Sequence, residues 1–264
     1  MQLFVYFLVS FLASVAGAIC GIGGGVIIKP VMDLCGLDGV STISFLSGCT
    51  VLSMSCYSVL RNTLSGEGGI DSDVGTPLAV GAAAGGVAGK RLFDLVKALF
   101  SNPNAVGAVQ AACLAVITVA TLIYTVLRHR IRSRHVKGWP VCVLIGLVLG
   151  LMSAFLGIGG GPINLVVLFF FFSMETKQAA RNSLYIILIS QTTSLLTTLI
   201  TGSVPPFQWS SLILMVCGGI GGGIAGRALN RRMDDRAVDR LFIGLMAVII
   251  CISVFNVFRY SGGR

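Results

Sequence analysis

Charge is scarce in this chain. Asp, Glu, Lys and Arg make up 11% of the residues, against about 25% in a typical soluble domain. With a mean hydropathy of +0.92, such a sequence cannot clothe a water-facing surface, which excludes an ordinary soluble fold. Acids are scarcer than bases, 10 against 19. Asp33, Asp38, Glu67, Asp71, Asp73, Asp94, Glu175, Asp234, Asp235 and Asp239 all stand at or near the ends of apolar segments. A cation carrier or a carboxylate proton relay needs an acid deep in the membrane, so their placement argues for an anionic substrate. The two histidines, His129 and His135, lie in a basic stretch and suggest no buried relay. Eight cysteines are scattered singly with no C-x-x-C pair. Metal or redox spacing is therefore absent, the cysteines read as small packing residues, and no cofactor is expected.

What the sequence has instead is long apolar runs, at 2–28, 41–60, 104–127, 141–174, 183–207 and 241–258. Each suffices to cross a hydrocarbon core of about 30 Å as a helix. Barrel strands would be about 10 residues long with strict alternation. These runs are longer and apolar all round, so the expected fold class is an all-α polytopic membrane protein. The first run lacks a charged leader region and is expected to be the first membrane element rather than a cleaved signal. The surplus of cations gathers beside membrane segments, where topology and anionic lipid account for it before nucleic acid does.

The five residues Gly21-Ile22-Gly23-Gly24-Gly25 return unchanged as Gly157-Ile158-Gly159-Gly160-Gly161. A helix does not run comfortably through three consecutive glycines, because glycine loses the most backbone entropy on ordering. Each copy predicts a broken helix or hairpin. Interrupted apolar segments at matching places in two halves are a pointer to a transporter's binding site. A second pair follows at nearly the same offset, Gly85-Gly86-Val87-Ala88-Gly89-Lys90 and Gly222-Gly223-Ile224-Ala225-Gly226-Arg227. Two matches at one spacing predict two homologous halves, 1–127 and 139–264, joined by a basic cytoplasmic linker at 128–138. The expected elements are 2–20, 24–34, 41–60, 74–89 and 104–127, then 140–156, 162–173, 179–201, 207–228 and 240–258.

The distribution of cations selects between two foldings. If each broken run crosses once, the two membrane faces carry 10 and 8 cations, with no bias. If each goes in and returns, they carry 13 and 5, leaving Lys29 unassigned. The second folding obeys the positive-inside rule. It makes the halves inverted-topology repeats.

Each short helix after a glycine turn presents N–H groups without intrahelical partners, and the macrodipole adds positive charge there. An anion fits such a place without a basic side chain. The candidate substrate-binding residues are thus Gly23, Gly24 and Gly25 with Gly159, Gly160 and Gly161. The alternative for any one triple glycine is close helix packing. That packing role is the expected one for Gly81, Gly85 and Gly89, and for Gly218, Gly222 and Gly226, each spaced by four. Lys29, about one turn beyond the first glycine turn, reads either as functional or as snorkelling to an interface, and its counterpart is Leu165. Asn164 follows the second turn. Ser47 and Ser183 occupy equivalent positions, Asn182 adjoins Ser183, and Gln191 sits mid-helix. Hydroxyls and amides can bond an anion, or simply bond neighbouring helices and their own carbonyls.

With the stretch Ala16–Gly25 and Pro30, its echo Ser153–Pro162, and the Gly-Gly-x-Ala-Gly-basic elements at 85–90 and 222–227, the chain resembles the TauE/SafE family of sulfite and organosulfur exporters over nearly all its length. The Phe45-Leu46-Ser47-Gly48-Cys49-Thr50 stretch departs from that pattern, whereas Ser183-Leu184 follows it. The resemblance implies a bacterial inner-membrane permease for a small sulfur-containing anion such as sulfite or a sulfonate. The resulting expectation is a secondary transporter with an anion site near the bilayer midplane. An anion channel is the alternative, and a membrane enzyme would need a buried nucleophile–base pair or metal cluster that the sequence does not offer. The expected partners are the small anion and the lipid bilayer, with a homodimer left open and nucleic acid not expected.

Overall fold

A computed structural model describes residues 2–65, 72–99, 103–128, 136 and 138–261. Glu67, Asp71 and, within the linker, residues 129–135 with both histidines and Lys137 lie outside the described residues. Ten helices are described: α1 (Gln2–Cys20), α2 (Gly25–Cys35), α3 (Val40–Leu64), α4 (Ser72–Leu99), α5 (Pro103–Leu127), α6 (Trp139–Leu156), α7 (Pro162–Phe172), α8 (Thr176–Ile200), α9 (Trp209–Asn230) and α10 (Asp235–Ser261). Among the described residues there is no strand. Seven helices, α1, α3, α5, α6, α8, α9 and α10, are long and apolar enough to cross a bilayer, and the protein is a polytopic membrane protein. The helix expected over 74–89 runs ten residues further. Gly89 does not end it, because Lys90-Arg91-Leu92-Phe93 resumes with good helix formers.

Both glycine stretches interrupt the chain. Gly21 and Gly23 each have φ +75°, Gly157 has +65° and Gly159 has +69°, a left-handed conformation that glycine alone adopts at little cost. The first break folds the chain back on itself. Gly24 stands beside Ser14 of α1, and at the far end of the hairpin the Tyr6 hydroxyl donates to Asp38. α7 returns likewise, so that the Val136 N–H donates to the Phe171 carbonyl at 2.9 Å. The two breaks diverge after their third residue. Gly24 is αR and caps α2, whereas Gly160 has φ +127° and Gly161 is extended. Pro162 explains the difference, because a residue preceding proline is pushed out of the α region. Helix α7 therefore starts at Pro162 itself, a favoured first position.

The helices interlock across the middle of the sequence. α4 packs along α6 and α8, and α9 packs along α1 and α3. The four-residue glycine spacing makes both contacts. Gly81, Gly85 and Gly89 lie against the backbone carbonyls of Val143, Leu147 and Leu151 of α6, and Gly222 and Gly226 against those of Phe11 and Val15 of α1. A Cβ at any of these positions would overlap backbone, so glycine lets the helices approach closely.

Hydrogen bonds identify the ends that meet. On one face Asn230, closing α9, donates to the Ile19 carbonyl near the end of α1 at 2.7 Å. Arg227 reaches Ser65 just beyond α3 at 3.0 Å, and Arg128 at the end of α5 reaches Thr176 at the start of α8 at 3.3 Å. On the opposite face Thr42, opening α3, donates to the Pro206 carbonyl beyond α8 at 3.0 Å, and Arg259 of α10 donates to the carbonyls of Asp33 and Leu34 at the end of α2. α3 and α8 thus point in opposite directions.

Candidate anion site

The two glycine turns meet. Gly25 lies directly against the Ile158 carbonyl, with Ser47 Oγ 3.0 Å from where its Cβ would stand. Gly23 faces the Gly159 carbonyl and Ile187. Gly159 packs on Val51 and Gln191, Gly160 on Ile187, and Gly161 on Ile158 and Val26. Bare backbone from one turn is therefore pressed against bare backbone of the other, between α3 and α8. Around this crossing buried hydroxyls have no hydrogen-bond partner among the described residues, Ser14 beside Gly24 and Ser47 beside Gly25, as is also the case for Ser183 in the first turns of α8. Asn164 is 1% exposed and its Oδ1 is likewise unpartnered.

Two cavities approach the crossing from opposite faces. One, of about 340 Å³, is lined by the start of α3, the end of α8 and the end of α4. Gly157 and Gln191 border it close to the crossing, and Lys90, Asp94 and Lys97 lie towards its rim. Lys90 pairs with Asp94 at 2.9 Å and sits 5.0 Å from the Phe93 ring centroid. The other, of about 300 Å³, lies between the end of α3, the start of α8 and the end of α9. Among the described residues its lining includes Lys177, Arg181, Arg227 and Arg231 and no carboxylate. Ala180 of that lining packs on Gly21 as Ser44, in the lining of the first, packs on Gly157. Ala18 and Ala154, 136 residues apart like the glycine turns, take equivalent places in the two linings.

The predicted residues separate into groups. Gly23, Gly25, Gly159, Gly160, Gly161, Ser47 and Gln191 come together at the crossing, whereas Gly24, between Gly23 and Gly25 in the chain, packs on Ser14 of α1. Ser183 and Asn182 are fully buried in the first turns of α8; Asn182 donates to the Gln178 carbonyl of its own helix at 3.0 Å. Lys29 does not snorkel. It is 3% exposed, donates to Ser44 Oγ at 3.0 Å and lies 3.7 Å from Asp33. Asp33 stands near the end of α2, as expected, yet it is buried, because α10 covers the end of α2 and leaves the carboxylate 5% exposed. The cations of the second cavity carry no motif that singles them out. Their sequence signal was only that Lys177 and Arg181, one turn apart, open α8, and that Arg227 and Arg231 close α9.

The profile described as sulfite exporter TauE/SafE matches residues 6–252. The chain is similar to the probable membrane transporter protein YunE of Bacillus subtilis (strain 168), at 24% identity over 97% of this chain and 98% of that protein. No solved structure matches. Taken with the duplicated glycine breaks and their meeting at one crossing, the match over nearly the whole length settles kinship: the chain belongs to the sulfite exporter TauE/SafE family.

Proposed function

We propose that the protein is a secondary transporter of a small oxyanion, sulfite or a sulfonate in the first instance, in the bacterial inner membrane. The observation that carries this reading is the pair of cavities on opposite faces, one bordered by Gly157 and the other by Ala180 against Gly21, while the two turns meet between them. A carrier needs one site with alternate access from each side, and the crossing lies between the two turns that these cavities border. In this reading the two halves, 1–127 and 139–264, are inverted repeats. The face bearing Arg128, Lys177, Arg181, Arg227 and Arg231 is cytoplasmic, by the positive-inside rule.

The chemistry of each layer supports an anion. The cytoplasmic cavity, with Lys177 and Arg181 in its lining, draws anions by its field, since a cleft lined by cations attracts the opposite sign. At the crossing, the N-termini of α2 and α7 supply N–H groups and a partial positive charge, and Ser47, Ser183 and Asn164 offer further hydrogen-bonding groups. Glycine keeps Cβ atoms away, so an oxyanion can approach the backbone directly. Gly25 packed on the Ile158 carbonyl presses the two turns together, an arrangement that suits a carrier whose turns must part better than an open channel. Rocking one half against the other would separate the turns and admit the anion from one side at a time.

Counterflow in proteoliposomes tests the reading. Preloaded unlabelled sulfite is expected to drive saturable accumulation of labelled sulfite, and a non-saturating flux would indicate a channel. Gly24→Leu and Gly160→Leu are expected to abolish flux while the protein still reaches the membrane; normal flux in both would remove the crossing from the site. Arg181→Gln is expected to raise KM about tenfold, the loss of roughly 1.4 kcal/mol of attraction, and added salt should shrink that difference.

A further inference from the structure

Further along α2 from the crossing, on the side away from the cytoplasmic cations, lies a third, small polar chamber that anion binding does not use. It is enclosed by α2, α5, α10 and the end of α6, with a volume of about 10 Å³, room for a single water-sized species. Lys29, Asp33, Gln110, Ser253, Asn256 and Leu156 border it. Four of these residues each hold a buried oxygen with no hydrogen-bond partner among the described residues: Asp33 Oδ1, Gln110 Oε1, Ser253 Oγ and Asn256 Oδ1. None is more than 5% exposed.

The amide orientations follow from the partners. Gln110 donates from Nε2 to the Phe155 carbonyl at 2.7 Å, and Asn256 from Nδ2 to the Pro30 carbonyl at 2.9 Å. Only the nitrogen of an amide can donate to a carbonyl, so each side-chain oxygen is fixed as the atom left over. Lys29, the cation beside them, is directed to Ser44 and to the other oxygen of Asp33. A chamber of water size walled by a carboxylate oxygen, two amide oxygens and a hydroxyl holds more open acceptors than donors, its donors being the Ser253 hydroxyl and the remaining Lys29 N–H. Leaving buried acceptors unmet is costly. One neutral water donates to only two of them, whereas a cation meets every oxygen by itself.

We propose that this chamber binds a small monovalent cation, sodium or hydronium, whose occupancy is linked to the anion at the glycine crossing. The proposal rests on the anion reading above. Lys29 and Asp33 cancel each other, so a bound cation adds one net positive charge. An anion at the N-terminus of α2 offsets it from about 12 Å away, eight residues along a helix rising 1.5 Å each. The dipole of α2 favours this division, with its positive end at the crossing and its negative end toward the chamber. Half-helices in transporters divide anion and coupling ion in this way. The titratable and charged groups that face Asp33 are Lys29 of its own helix and Tyr260 and Arg259 of α10; α5 contributes the neutral Gln110, and α3 acts through Ser44.

The test measures labelled sulfite binding to purified protein in sodium chloride and in N-methylglucamine chloride at one pH, and then across a pH series without sodium. The affinity is expected to rise about 5- to 150-fold with one of the two cations, the usual range of coupling between sites. If sodium is the cation, sulfite must raise labelled-sodium affinity by the same factor, because linkage is reciprocal. Sulfite's own protonation is common to wild type and Asp33→Asn, so the hydronium arm reads the difference between them. Asp33→Asn is expected to erase the linkage. Ser253→Ala and Gln110→Met, which keep shape and remove an oxygen ligand, are expected to weaken it and serve also if Asp33→Asn does not fold. Sulfite bound equally under all conditions would overturn the cation site and leave the anion reading standing. Sodium bound in an Asp33-dependent way by a protein that takes no sulfite would do the reverse.

Discussion

The two short helices begin from the same five residues and end in different chemistry. α2 carries Lys29 and Asp33, one turn apart and both buried. α7 places Leu165 and Phe169 at the equivalent positions, also buried. One half of the protein thus keeps an ion pair where the other keeps ordinary core. Ion pairs in a dry interior are no route to stability, since desolvation consumes most of the attraction. The difference therefore points to a task that only the first half performs, whereas the backbone geometry of Gly21–Gly23 and Gly157–Gly159, shared by both, points to a task they perform together.

The sharpest way to break this comparison is to make α2 resemble α7. Lys29→Leu leaves the Asp33 carboxylate buried without its partner and is expected to cost about 3–5 kcal/mol, read as a fall in the thermal midpoint in detergent. Adding Asp33→Phe, which completes the likeness to α7, should recover most of that loss. If the double variant is no more stable than the single one, the pair is structural rather than functional. A smaller effect separates the turns themselves. Gly25→Ala would drive a methyl into the Ile158 carbonyl and is expected to cost about 1–3 kcal/mol. Gly161 is extended and meets only side-chain atoms, Ile158 Cδ1 at 3.3 Å and Val26 Cγ2 at 3.7 Å, so Gly161→Ala should stay within about 0.5 kcal/mol. Equal losses would mean that the turns are more alike than Pro162 makes them. The smallest effect concerns the far ends. Arg259 holds the carbonyls of Asp33 and Leu34, and Arg128 holds that of Met174 while lying 3.9 Å from the Phe169 ring centroid. Arg259→Gln should fray the last turn of α2 by about 1 kcal/mol, seen as faster amide exchange at Leu34–Gly36, with α7 unaffected; Arg128→Gln should do the converse.

Much of the fold was legible because glycine leaves a backbone signature. Triple glycines predict breaks by their entropy alone, and both breaks stand where the sequence placed them. The four-residue spacing in α4 and α9 likewise predicted a close helix neighbour. It could not say which one, because a 3.6-residue period identifies a face and never the partner on it. For the same reason Gln110 and Asn256 passed unnoticed; each is a lone amide in an apolar run until α2, α5 and α10 converge. The burial of Asp33 escaped a one-dimensional argument. The residue ends an apolar segment, but α2 is only 11 residues long, so the end of the segment falls short of open solvent and under α10. The cations of α8 and α9 were counted as topology signals, and only the fold gathers them around one cavity.

The interlock of α4 with α6 and of α9 with α1 bears on how the chain is made. When the ribosome has released residues 1–127, α4 has no neighbour for the glycine face that α6 will later cover, and α1 still lacks α9. The first half must therefore wait, inserted but unfinished, until nearly the whole polypeptide has left the translocon. Cutting the gene between the halves should yield two fragments that are each degraded alone and rescued when co-expressed, as happens with clasped rather than adjoining parts.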